Sequence, residues 1–282
     1  MKTVRAKAEL RQALAEPRRE GRTIGLVPTM GYLHEGHLSL LRAARADCDL
    51  VVMSLFVNPT QFGAGEGLDR YPRDEQRDTA LAEETGVDLI YAPSTDDVYP
   101  SGYATHVDVE GLTEVLCGDP ERRGPEHFRG VITVVAKLLN TVQPDIAYFG
   151  QKDAQQAVVI QRMVGDLDFP VRIEVLPTVR EADGLAMSSR NAYLEPADRE
   201  RATALSRALA VVEREALEGS LAAALESGRR ELAAAGIEPE YLEARDAESL
   251  EPVSALGRRP VLVAVAARVG AARLIDNVLI QP

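Results

Sequence analysis

The stretch Gly25-Leu-Val-Pro-Thr-Met-Gly-Tyr-Leu-His-Glu-Gly-His-Leu-Ser-Leu-Leu41 constrains this chain more than any other. An apolar run from Thr23 to Val27 reads as a buried strand, ended by Pro28, which cannot donate to a ladder. A turn with Gly31 and Gly36 follows. From His37 to Ala46, Leu38, Leu41 and Ala44 recur at helical spacing, and Leu50 to Val57 reads as a second buried strand. Strand, loop, helix, strand is a βαβ unit, which commits the chain to a parallel sheet. Ligands of such sheets favour the carboxyl ends of the strands. His34 and His37 sit where the helix begins, and there helix amides and imidazoles can jointly meet a phosphate. A His pair at this spacing is as often structural. Metal ligation would need a third ligand that the sequence does not display.

The same texture continues. Residues 6–20 read as an amphipathic helix and 58–67 as a loop. A helix over 74–86, a strand at 89–92, a helix over 130–142, a strand at 146–149, a helix over 154–165 and a strand at 171–176 complete an α/β pattern. Residues 93–130 read as irregular, and so long a connection is more often functional than idle. Beyond Pro177 the pattern changes. Residues 197–235 suggest two surface helices around Gly219, and 240–244, 260–269 and 272–280 suggest strands, the last two forming a hairpin at Gly270. The expectation is a Rossmann-like parallel sheet in an N-terminal domain, residues 1–176. A smaller α+β C-terminal domain follows, residues 177–282.

A chain of 282 residues can bury a core of that size. Its net charge of −12 excludes a general nucleic-acid binder, which needs a basic face. An anionic substrate must therefore be met by a local positive cluster. Cys48 and Cys117 form no spaced metal motif. The charged N-terminus shows no apolar signal region, and no run approaches the ~20 apolar residues of a membrane span. A cytoplasmic location is expected, without membrane or nucleic-acid partners.

Two further clusters carry chemistry. Lys152 and Asp153 follow a strand and a glycine; they are either an exposed ion pair or a phosphate and ribose contact. Met187-Ser-Ser-Arg-Asn191 is either a turn and cap or a hydroxyl–guanidinium clamp for polyphosphate.

The sequence closely resembles the pantoate–β-alanine ligase (pantothenate synthetase) family. The resemblance rests on PTMGYLHEGHLSL (28–40), VNPTQF (57–62), DRYPRD (69–74), HFRGVITVVAKLLN (127–140), FGQKDAQQ (149–156) and TVREADGLAMSSRNAYL (178–194). It implies ATP-dependent condensation of (R)-pantoate with β-alanine through a pantoyl adenylate, releasing pyrophosphate and then AMP, by a magnesium-dependent homodimer. The motif His34-Glu-Gly-His37 is the hallmark of the nucleotidyltransferase superfamily, and Met187-Ser-Ser-Arg190 matches its second, mobile signature. The resemblance makes His37 the proton donor and gives His34, Lys152 and Arg190 catalytic roles. It also assigns an ATP pocket to Met30, Gly31, Tyr32, Leu33, His34, Glu35, Gly36 and His37. Gly150, Gln151, Lys152, Asp153, Val179, Met187, Ser188, Ser189 and Arg190 complete that pocket. Gln61 and Gln156 match substrate contacts. Asp78 is a candidate magnesium ligand, most of the ion's shell being phosphate oxygen.

Two departures are visible. The family's Arg-Pro-x-His-Phe becomes Arg123-Gly-Pro-Glu-His127-Phe128, with the arginine displaced by one position, so no substrate contact is carried over to Arg123. Gln151 stands where many members have Glu. Two other classes share parts of the pattern. A cytidylyltransferase would keep the His-x-Gly-His loop without needing VNPTQF and KDAQQ. A non-catalytic nucleotide sensor would not need the full set His34, His37, Lys152 and Arg190.

Overall fold

The computed structural model describes residues 1–63 and 67–281, so residues 64–66 of the expected 58–67 loop lie outside the described part. The chain divides into two compact units. One comprises residues 1–114, 118–150 and 159–176, and the other residues 115–117, 151–158 and 177–282.

The first unit is built on β1 (Lys2–Val4), α1 (Lys7–Arg19), β2 (Ile24–Thr29), α2 (Glu35–Asp47), β3 (Leu50–Leu55), α3 (Glu75–Glu84), β4 (Leu89–Tyr91), α4 (Thr95–Val98), α5 (Pro125–Val142), β5 (Ile146–Gly150), the later part of α6 (Ala154–Asp166), whose residues 154–158 belong to the other unit, and β6 (Arg172–Leu176). The strands form one sheet in the order β1-β4-β3-β2-β5-β6, and every pairing is parallel. Val27, Leu41, Val51, Met53, Ile90 and Tyr148 lie in its core, so the central strands read as continuous apolar runs, as strands covered on both faces must.

The sheet reverses its order between β2 and β5. These two strands pair only at Gly25–Ile146 and Leu26–Ala147, yet β2 runs on to Thr29 and β5 to Gly150. Their carboxyl ends continue unpaired to one another, which is the crevice where open α/β sheets bind ligands.

Several boundaries differ from the sequence expectation. Pro28 does not end β2; it pairs in register with Ser54 of β3. With no β5 ladder beyond Leu26, one side of the strand needs no donor there. Helix α2 begins at Glu35, with His34 as its N-cap. Helix α5 begins at Pro125 rather than residue 130, because proline is preorganised for a first helical position, where its missing N–H costs nothing. The stretch 93–130 also contains α4, capped by Ser94. Strand β1 has no counterpart in the sequence expectation: three residues with one buried side chain show no period.

The second unit adds α7 (Pro196–Ala202), α8 (Ala204–Glu218), α9 (Leu221–Ala234), β7 (Pro239–Asp246), β8 (Val261–Val269) and β9 (Ala272–Ile280). Three helices replace the expected two, because α7 and α8 meet almost without a break at Thr203. The strands form an antiparallel sheet, β7-β8-β9, with the β8–β9 hairpin turning at Gly270. Leu205, Leu209, Val212 and Leu232 pack with Val263, Val265 and Ile280 in its core. Among the described residues no helix is long and apolar enough to cross a membrane.

Candidate active site

The first unit carries residues 30–37, Gln61 and Asp78. The loop leaves β2 through Thr29, whose Oγ1 accepts the Gly31 amide at 3.1 Å and donates to the Ser54 carbonyl at 3.0 Å. Gly31 has φ +84°, and a Cβ there would lie 2.7 Å from Leu55 Cδ1 and 2.8 Å from Asp78 Oδ2. Tyr32 also takes a left-handed conformation, φ 53°, which a non-glycine residue keeps only when its surroundings hold it. Asp78 supplies that hold. It is 1% exposed, and its two carboxylate oxygens accept the Tyr32 and Leu33 amides, each at 2.7 Å. The Arg77 guanidinium lies 5.5 Å from the centre of the Tyr32 ring.

The two imidazoles are arranged by the start of α2. His34 Nδ1 accepts the Gly36 amide at 3.1 Å, and His37 Nδ1 accepts the His34 amide at 3.3 Å. Their ring centres are 4.1 Å apart. A nitrogen that accepts from an amide carries no proton, so each neutral ring keeps its proton on Nε2. Both rings therefore offer an N–H donor at a helix N-terminus, where the macrodipole already favours an anion. Neither His34 nor His37 is a packed core residue; both are half-buried.

Gln61 is fixed at both ends. Its Oε1 accepts from Asn58 Nδ2 at 3.2 Å and its Nε2 contacts Met30 Sδ at 3.1 Å. Asn58 Nδ2 also donates to the Gly130 carbonyl, and Asn58 Oδ1 accepts from the Tyr99 hydroxyl at 2.9 Å. Burial pushes the Tyr99 phenol up, which keeps it a donor. The Gln61 carbonyl lies 2.8 Å from His127 Nδ1 and 3.4 Å from Arg123 Nη2, and Arg123 Nη1 is 3.0 Å from His127 Nε2. Guanidinium nitrogens only donate, so His127 Nε2 accepts and its Nδ1–H donates to the Gln61 carbonyl. A Cβ on Gly130 would come within 2.3 Å of the Thr60 carbonyl oxygen, so only glycine lets α5 meet the turn that carries Gln61.

Gly150 ends β5 in the first unit. The remaining candidates belong to the second. The turn Gln151–Asp153 leads into α6, with Gln156 half-buried in its first turn. The Lys152 side chain is 16% exposed and its Nζ is 3.8 Å from Asp153 Oδ1, beyond hydrogen-bond distance. That is a sheltered cation, unlike a solvated surface pair. The chain folds back from Arg180 to Ala186, and the Val179 carbonyl accepts the Met187 amide at 3.0 Å. Met187, Ser188, Ser189 and Arg190 follow, all half-buried, with Ser188 capping a 3-10 turn through the Arg190 amide at 3.2 Å. Asn191 Nδ2 ties this segment to Glu181 Oε1 and the Ala186 carbonyl.

Both oxygens of the buried Asp78 carboxylate accept amides, so this side chain is engaged in holding the Tyr32–Leu33 backbone, and among the described residues no three or more His, Cys, Asp or Glu side chains are grouped to hold a metal.

Sequence reasoning gave no role to Asn58, His127 or Gly130, although all three lie inside motifs that carried the resemblance. Their signal was positional: each meets the turn that carries Gln61.

A parallel sheet with a split carboxyl edge, and two imidazole donors on the helix that follows its central strand, defines a nucleotide-handling α/β enzyme. Residues 2–279 match the family model described as pantoate-beta-alanine ligase, and the chain belongs to that family. It is 53% identical over 294 residues to a pantothenate synthetase of Moorella thermoacetica, covering 100% of this chain and 99% of that protein. The crystal structure of the Thermus thermophilus pantothenate synthetase matches with TM-score 0.93 and 50% identity, each chain covered in full (100%). A pantoate-beta-alanine ligase of Francisella tularensis, solved with beta-gamma ATP and beta-alanine, matches with TM-score 0.82 and 31% identity over 99% of this chain and 97% of that one.

Proposed function

We propose that this ligase joins pantoate to β-alanine in two steps that share an enzyme-bound pantoyl adenylate. A pantoate carboxylate oxygen attacks the α-phosphorus of ATP, and the bond to the bridging oxygen of pyrophosphate breaks. The β-alanine amine then attacks the acyl carbon, the bond to AMP breaks, and the amine loses a proton. The first step moves charge onto the departing pyrophosphate. Catalysis of such a step is positioning plus stabilisation of that charge.

One observation carries the reading: both Nδ1 atoms of the His-x-Gly-His pair accept from amides, which leaves both Nε2–H groups as donors. His37 then assists pyrophosphate departure with a strong hydrogen bond from Nε2–H, and His34 adds a second donor. Lys152 and Arg190 supply full positive charge, with Ser188 and Ser189 as hydroxyl donors. The backbone of residues 30–37 and 150–153, with Val179 and Met187, serves ATP. Any magnesium comes in on the ATP phosphates, and Asp78 serves the reaction by shaping the loop. The family reading also makes the chain a cytoplasmic homodimer, with twice the chain mass in light scattering.

Gln61 and Gln156 bind pantoate. A side-chain amide meets a carboxylate and hydroxyls without the strong ion pairing that would dull the nucleophile. A hydrogen bond to a charged group contributes about 1.5–3 kcal/mol, so Gln61→Ala and Gln156→Ala are each expected to raise the pantoate KM by on the order of 10- to 100-fold. The ATP KM should stay within a small factor. Steady-state kinetics with each substrate varied in turn checks this, and a raised ATP KM with pantoate unchanged would reassign both amides.

A further inference from the structure

Strand β9 carries two adjacent buried polar residues, Asp276 and Asn277, 3% and 4% exposed. Adjacent residues of a strand project to opposite faces, so this pair can hold two different segments. It does. Asn277 Nδ2 donates to the carbonyls of Gln151 and Lys152, both at 2.9 Å, and its Oδ1 accepts from Gln151 Nε2 at 3.1 Å. Every polar atom of the Asn277 amide is thus spent on the turn that presents Lys152. Asp276 grips Arg180 through two bonds of 2.6 and 3.0 Å, and Arg180 Nη1 also donates to the Gly184 carbonyl. Arg180 and Gly184 belong to the fold-back that delivers Met187 to Arg190. The backbone N–H of Asn277 donates to Asp276 Oδ1 at 2.8 Å, which joins the two grips.

We propose that Asp276 and Asn277 are positioning residues for the adenylation step, together setting where Lys152 and the Met187–Arg190 segment present their charge. The proposal rests on the two-step ligase reading given above. The chemistry supports a tuned contact over mere filling. A buried amide whose NH2 meets two carbonyls and whose oxygen meets one NH2 fits in a single orientation. A bidentate carboxylate–guanidinium pair likewise fixes angle as well as distance. Neither residue is placed on a substrate, so their effect passes through Lys152 and Arg190.

Asn277→Asp keeps the shape but turns the donors toward Gln151 and Lys152 into acceptors. Asn277→Ser removes the reach without adding charge, and Asp276→Asn weakens the grip on Arg180. The measurements are single-turnover adenylation from ATP and pantoate, steady-state kcat and ATP KM, and a melting curve, each beside the wild type. Misplacement of a catalytic group by about 1 Å costs on the order of 10²-fold. Asn277→Asp should therefore lose adenylation by about that factor, with the ATP KM within threefold and the folded fraction at assay temperature unchanged. Asp276→Asn should show a smaller loss of the same kind. If Asn277→Asp fails to fold, Asn277→Ser decides by the same criteria. Adenylation within twofold of wild type in the folded Asn277 variant overturns the proposal. A loss matched by the unfolded fraction in both Asn277 variants also overturns it, since the contact is then only structural. Failure of the wild type itself to form adenylate would instead overturn the two-step reading.

Discussion

Lys152→Ala and His37→Ala are each expected to lose on the order of 10²–10³ in the rate of adenylation while still binding ATP within a modest factor, the size of effect seen when one preorganised donor is removed. The reason lies in where charge develops. Pyrophosphate gains negative charge as it departs, so a group aimed at it binds the transition state more tightly than the ground state. Such a group lowers kcat and kcat/KM together. The Lys152 side chain is 16% exposed, and its Nζ stands 3.8 Å from Asp153 Oδ1, an ion pair without a direct hydrogen bond that leaves its N–H groups to other acceptors. His37 spends Nδ1 on the His34 amide and keeps its proton on Nε2. Under the rival view Lys152 is a surface ion pair and His37 a packing residue. Lys152→Ala would then be nearly silent, and His37→Ala would act through stability. Single-turnover adenylation, ATP titration and a melting curve on each variant separate the two accounts.

Asp78→Asn should combine a fall in melting temperature with a fall in kcat of about tenfold or more, at an unchanged magnesium requirement. The carboxylate accepts two consecutive amides at 2.7 Å and holds Tyr32 at φ 53°. The isosteric amide keeps one acceptor and turns an NH2 toward the other N–H. A buried donor left unsatisfied costs about 1–3 kcal/mol. In a unit of this size that is a drop of roughly 2–4 °C for each kcal/mol. The released loop also carries both histidines, which accounts for the lost turnover. If Asp78 were instead a metal ligand, the variant would melt like the wild type and need more magnesium. A magnesium titration of activity, run beside the melting curve, shows which occurs.

The parallel sheet was legible because its strands are buried on both faces, and such strands announce themselves as runs like LVVMSLFV. The βαβ order then follows from strand and helix periods alone. What escaped was set by tertiary context. Pro28 reads as a strand end, yet it is paired in β2, because the β2–β5 ladder has already stopped at Leu26. Strand β1 is too short to show a period and exists through its register with β4. The start of α5 at Pro125 was hidden because proline terminates helices in most positions and begins them in one. The candidate site divides in the same way. The residues proposed to touch ATP or pantoate lie in contiguous motifs, so the proposal could be drawn from the sequence. The residues that hold them give no sign of what they hold, even where, like His127, they fall inside such a motif. Asn277 acts on carbonyls up to 126 positions away, and His127 on the Gln61 carbonyl 66 positions away. A backbone carbonyl has no sequence signature, so its partner cannot be inferred from residue types.

In the proposed mechanism the adenylate forms before β-alanine is needed. Pyrophosphate release from ATP and pantoate alone, followed in a rapid-quench experiment with labelled ATP, tests this most directly. The expected result is a burst of pyrophosphate stoichiometric with active sites, a pantoyl adenylate retained on the protein, and AMP release only after β-alanine is added. Pyrophosphate that appears solely when β-alanine is present would contradict the account.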